Sequence, residues 1–91
     1  MPKKQKLKNL ELSSTALKDL AYWQRTDPKK VERINTLIDA ILENPEAGIG
    51  KPERLKYNWE GLWSRRIDHT HRILYMVGGD TLFIAQMRFH Y

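Results

Sequence analysis

Asp27-Pro28-Lys29-Lys30-Val31-Glu32-Arg33-Ile34-Asn35-Thr36-Leu37-Ile38-Asp39-Ala40-Ile41-Leu42-Glu43-Asn44-Pro45 is the stretch whose reading decides the fold. Val31, Ile34, Leu37, Ile38, Ile41 and Leu42 recur at helical period and make one apolar stripe. Lys29, Lys30, Glu32, Arg33, Asp39 and Glu43 take the other faces. Asp27 is a good N-cap, and a proline at the first helical position loses no hydrogen bond. Asn44-Pro45 stops the helix. Upstream, Ser13 or Ser14 can cap an earlier helix, in which Ala16, Leu17, Leu20, Ala21 and Trp23 recur at similar spacing until about Thr26. The short break at Asp27 makes the two a helical hairpin.

Further out, the pattern changes to β. Lys6 to Leu12 alternates imperfectly and reads as a short first strand. Glu46 to Pro52 is a loop punctuated by glycine and proline. Strands are expected around Glu53–Lys56, Leu62–Ile67, His71–Val77 and Thr81–Phe89, with turns at Asn58–Gly61, Asp68–Thr70 and Gly78–Asp80. The order β-α-α-β-β-β-β predicts an α+β domain: a two-helix hairpin packed on one face of a twisted, mostly antiparallel sheet. The other face is left for solvent or a ligand.

With 91 residues the chain is a single domain over 1–91, about residues 1–6 being a basic extension. A domain of this size buries only about 60–65% of its unfolded surface, so a partner or second copy would help it. The absence of cysteine excludes disulfides and thiolate metal sites. No apolar run reaches the roughly 20 residues of a membrane span, and no apolar segment of signal-peptide length follows the basic start, so a cytoplasmic protein is expected. A net charge of +5 suits RNA, the ribosome or an acidic protein segment, and equally suits plain solubility.

Some polar residues fall where a core does not need them. If Asp68-His69-Thr70 is a three-residue loop, Ile67 pairs with His71 and Arg66 lies directly opposite Arg72. Like charges so placed destabilise a sheet. Either a phosphate bridges the two guanidinium forks, or Glu53, Glu60 or Asp68 neutralises them, or they splay into water. Glu53, between Lys51 and Lys56, is either a carboxylate kept ionised for use as a base or half of a surface ion pair. On the last strand Gln86, Arg88 and His90 share one face, and Phe83, Ala85, Met87, Phe89 and Tyr91 the apolar other. His90 is either a proton donor and acceptor near neutral pH or an inconsequential terminal residue. Tyr91 either stacks on a base or covers a core edge. His69 and His71 are expected to face solvent or RNA, since no third metal ligand has suitable spacing. Trp23, Trp59 and Trp63 are expected to pack, with Trp59 exposed or lining a self-association surface.

Several motifs are then recognisable together. Gly50-Lys51-Pro52-Glu53-Arg54-Leu55-Lys56, Trp63-Ser64-Arg65-Arg66-Ile67, His71-Arg72-Ile73-Leu74-Tyr75 and Arg88-Phe89-His90-Tyr91, with Tyr22-Trp23-Gln24, Thr26-Asp27 and Ile34-Asn35 in the hairpin, resemble the YoeB/Txe toxins of the RelE superfamily. The resemblance runs from about Leu10 to Tyr91. The chain departs from it in its lysine-rich start and in having Leu12 and Leu17 where tryptophans are common. The resemblance implies a microbial RNase, RelE-like fold and a bacterial toxin that cleaves mRNA in the ribosomal decoding site, without metal or other cofactor, by attack of the ribose 2′-OH. It implies Glu53 as general base, His90 as general acid, Arg72 as stabiliser of the phosphorane and Tyr91 as a positioning group. Lys56, Arg65, Arg66 and Arg88 would contact RNA phosphates. Implied partners are the 70S ribosome with its mRNA, a YefM/Axe-like antitoxin with an acidic segment, and a second copy in a homodimer. The alternatives are a non-catalytic ribosome- or RNA-binding inhibitor and, from the fold alone, a gyrase inhibitor. One geometric difficulty follows: in a simple hairpin through Gly78-Gly79, Arg72 faces a position near Gln86, and His90 is four residues, about 13 Å, further on.

Overall fold

The computed structural model describes residues 6–88. β1 (Asn9–Leu12) is followed by α1 (Ser14–Thr26) and α2 (Pro28–Glu43), then by β2 (Glu53–Arg54), a 3-10 turn (Tyr57–Trp59), β3 (Trp63–Arg66), β4 (Arg72–Gly78) and β5 (Thr81–Gln86). The five strands form one sheet in the order β1-β5-β4-β3-β2. β1 runs parallel to β5, and all other pairs are antiparallel. The expected α+β architecture is therefore observed, with a mixed sheet.

Both helices form where the apolar spacing placed them. Ser13 caps α1, its Oγ accepting from Ala16 N at 3.0 Å while donating to Ala85 O at 2.6 Å. The same hydroxyl thus starts the helix and ties it to β5. Asp27 acts differently from the expectation: its side chain makes no capping bond. Its backbone serves both helices instead, the N–H donating to Trp23 O and the carbonyl accepting from Lys30 N. Ile34, Leu37, Ile38 and Ile41 are buried. They meet Ile73, Tyr75, Leu82 and Ile84 from the sheet, together with Trp23 and Met87.

Strand alternation then sorts β3 and β4 between two faces. Arg65, Ile73 and Tyr75 point to the helix side and are fully buried. Ser64, Arg66 and Arg72 point to the other side.

β5 breaks the expected alternation. Tyr75 pairs with Ile84, but Leu74 pairs with Gln86, so Ala85 is an extra residue in a β-bulge. The buried residues are Leu82 and Ile84 before the bulge and Met87 after it. Phe83, expected on the core face, is half-buried on the opposite face, across from Met76. The strand also ends at Gln86 rather than Phe89, because the Met87 N–H leaves the ladder for the Asp19 carboxylate.

Candidate active site

The three-residue loop exists, and its chemistry is visible. Asp68 Oδ1 accepts from Thr70 N at 2.8 Å and His71 N at 2.6 Å, while Oδ2 meets Lys30 Nζ at 3.0 Å. Partial burial pushes the Asp68 carboxyl up, but the His71 N–H, Lys30 and the Thr70 N–H outweigh it and hold the pKa at about 2. Ile67 N donates to His71 O, and Arg66 stands directly opposite Arg72.

The strand beside them brings the carboxylate. β2 pairs with β3 so that Glu53 is level with Ser64. Its approach loop is set by Gly50, whose φ is +84° and whose carbonyl accepts from Arg66 N at 2.7 Å. A Cβ on Gly50 would lie 2.8 Å from Leu37 Cδ2, so only glycine lets the loop lie this close to α2.

Lys51, Pro52, Glu53, Ser64, Arg66 and Arg72 consequently line one cleft of about 200 Å³. Among the described residues it holds three cations and one carboxylate. Glu53 and Arg66 are exposed, Arg72 is half-buried and Ser64 is buried. The Arg72 Nη1 atom is buried with no hydrogen-bond partner among the described residues. A buried, unsatisfied cationic donor is costly, and a phosphate oxygen would satisfy it. Of the three carboxylates named as neutralisers of the arginine pair, Asp68 serves the turn and Lys30, and Glu60 lies in a separate depression. Glu53 alone of the three lines the cleft.

Other expected site residues are placed elsewhere. Arg65 is a correction. It is fully buried, on the opposite face of β3 from Arg66. Its Nε donates to Tyr75 Oη, Nη1 to Ile49 O, and Nη2 to Asn44 O and Ala47 O. Tyr75 Oη in turn donates to Pro45 O at 2.7 Å, and burial pushes its pKa up. Arg65 therefore holds the 44–49 loop that leads to Glu53, and its guanidinium cannot reach RNA. Lys56 is exposed in two depressions beyond β2, one of which also touches Glu53. Arg88 is not among the cleft residues, its guanidinium lying 3.5 Å from the centre of the Tyr22 ring. His71 also differs from the expectation, packing edge-on against the buried Trp23 at 4.8 Å. Trp59 is exposed, and Trp63 is half-buried under Arg54. His90 and Tyr91 lie outside the described residues. Sequence reasoning missed Lys51 as a cleft residue, although its place two residues before Glu53 was a usable signal.

The residues of this cleft sit inside a recognisable whole. Residues 12–91 match the family model of the YoeB-like toxins of bacterial type II toxin–antitoxin systems. The chain belongs to that family. It is 51% identical over 73 residues to toxin YoeB of Escherichia coli K12, covering 80% of this chain and 87% of that protein. A solved YoeB/ParE toxin from Agrobacterium tumefaciens superposes with a TM-score of 0.90 at 45% identity, over 92% of this chain and all of that one. A YoeB chain from a Staphylococcus aureus YoeB–YefM heterotetramer superposes with a TM-score of 0.85 at 44% identity, over 91% of this chain and 97% of that one. The S. aureus YoeB has also been solved as a dimer. Among the described residues of this YoeB-like chain, no helix is long and apolar enough to cross a membrane.

Proposed function

We propose that this YoeB-like toxin is an endoribonuclease that cleaves mRNA on the ribosome. The observation that carries the reading is the cleft in which Glu53 shares about 200 Å³ with Arg66 and with Arg72, whose buried Nη1 has no hydrogen-bond partner among the described residues. An RNA phosphate seated there meets two guanidinium forks and a carboxylate that can take a proton.

In this reading Glu53 removes the proton from a ribose 2′-OH. The 2′ oxygen attacks the adjacent phosphorus, and charge develops on the equatorial oxygens of the phosphorane. Arg72 and Arg66 donate to those oxygens, the electrostatic contribution that is usually the largest. The P–O5′ bond breaks, and His90 gives its proton to the departing 5′ oxygen. The products are a 2′,3′-cyclic phosphate and a free 5′-OH. Acid and base together contribute on the order of 10²–10⁴-fold.

The partners of this chain are read from its relatives: a YefM-like antitoxin, whose acidic segment suits the basic cleft, and a second copy of the chain. The test is primer extension on ribosome-bound mRNA. New 5′ ends with the wild type, lost in Glu53→Ala and Arg72→Ala proteins that remain folded, support the nuclease. Translation arrest without new ends would instead mark a non-catalytic inhibitor.

A further inference from the structure

Helix α1 holds the end of β5 by means that a packing role alone does not need. Asp19, only 9% exposed, accepts the Met87 N–H through Oδ2 at 2.9 Å. Trp23 Nε1 donates to the Met87 carbonyl at 2.8 Å. The Met87 side chain is itself fully buried. Both backbone polar groups and the side chain of this residue are therefore engaged, and one helix supplies both hydrogen bonds. One turn of that helix also places the Tyr22 ring under the Arg88 guanidinium.

A carboxylate removed from water is expensive unless strongly hydrogen-bonded. The Met87 N–H needs no such group, since a continued ladder would satisfy it at no cost in buried charge. What Asp19 changes is direction: the chain leaves the sheet at Met87 instead of running on along β4. Trp23 adds a second registration. Its ring lies edge-on to His71, 4.8 Å away, and His71 immediately precedes Arg72. The same indole thus touches the start of the strand that carries Arg72 and the point from which the last residues depart.

We propose that Asp19 and Trp23, assisted by Tyr22, are positioning residues that fix Met87, the point from which the last residues of the chain depart, relative to Arg72. The proposal rests on the nuclease reading above and adds to it the groups that anchor that departure point. From the Met87 anchor, three residues span at most about 11 Å. An end released back to Gln86 has a fourth residue of freedom. A displacement of about 1 Å at a reacting group can cost about 10²-fold in rate.

The experiment compares wild type, Asp19→Ala, Asp19→Asn, Trp23→Phe, His90→Ala and a packing control, Leu20→Ala, on the full chain with programmed ribosomes. Cleavage rate at saturation and KM are measured separately, folding is followed by urea titration, and backbone ¹⁵N relaxation is recorded at residues 88–91. Asp19→Ala and Trp23→Phe should lower kcat by about 10²-fold with KM changed less than about threefold, and should change the relaxation of the terminal residues. Asp19→Asn keeps an amide oxygen that can accept the Met87 N–H and should retain activity within a fewfold. Leu20→Ala should lower stability and leave kcat near wild type. If His90→Ala is inactive while Asp19→Ala and Trp23→Phe turn over at the wild-type kcat, the positioning role is overturned and the nuclease stands. It is also overturned if Leu20→Ala loses kcat as well, so that activity simply follows stability across all the variants. Should Asp19→Ala not fold, the contrast between Trp23→Phe and Asp19→Asn decides. Wild-type protein that yields no cleaved mRNA would sink the nuclease reading itself.

Discussion

The two sides of β3 carry adjacent arginines with opposite fates. On the helix side, Arg65 is fully buried and makes four hydrogen bonds, three of them to carbonyls of the 44–49 loop. On the cleft side, Arg66 faces Arg72, whose buried Nη1 atom has no hydrogen-bond partner among the described residues. The first guanidinium is consumed by the fold, and the second pair is left over by it. The partners of a cation, more than its sequence neighbourhood, separate a structural role from a chemical one. Arg65 and Arg66 stand side by side in one motif and cannot be told apart by composition.

The contrast is broken most severely at Arg72. Arg72→Ala should lower mRNA cleavage by about 10²–10³-fold, the range for loss of one preorganised donor, with the urea midpoint unchanged or raised. A stability loss comparable to that of a core substitution would show that Arg72 belongs with Arg65. The reverse experiment, Arg65→Ala, leaves three loop carbonyls and the Tyr75 hydroxyl short of a donor. It should cost about 3 kcal/mol of stability, at roughly 1–3 kcal/mol for each buried group left unsatisfied, read from denaturant unfolding. Arg65→Lys should recover only part of this, because one ammonium cannot span the fork. Gly50→Ala tests the same loop through its backbone. The positive φ and the close approach to Leu37 should together cost about 1–3 kcal/mol, with lower cleavage as Glu53 shifts.

The smallest effect concerns the turn joining the two cleft strands. Asp68 has a lowered pKa of about 2 in the folded chain. A depressed carboxylate contributes stability above its unfolded pKa, and that contribution is lost as pH falls through the folded value. The wild type should therefore exceed Asp68→Asn in urea midpoint at pH 5, and the gap should close between about pH 4 and pH 2. A gap that persists unchanged to pH 2 would show that hydrogen bonding, rather than charge, holds the turn.

Much of this was legible in the chain. The apolar stripe from Val31 to Leu42, the Ser13 cap and the Pro28 start located both helices, because each is a local signal acting over a few residues. The three-residue turn was legible too, and with it the confrontation of Arg66 and Arg72, because strand pairing next to a tight turn is set by counting. Arg65 was misread although period-two alternation already placed it on the other face from Arg66. The motif's density of cations hid a parity that was there to be used. Ala85 was not readable in the same way. A bulge inserts one residue without a distinctive side chain, and it shifts every later residue to the other face. Nor did a polar residue on the buried stripe of α1 announce that Asp19 would hold Met87, 68 positions along the chain.

Local chemistry in the linear chain was enough for the number, type and order of the elements, and for the hairpin that opposes two arginines. Which cations are spent on backbone carbonyls, where β5 slips its register, and how α1 captures the end of the sheet emerged with the packed molecule. Such features depend on groups distant along the chain competing for the same buried donors and acceptors, and that competition is resolved when the layers close and water leaves.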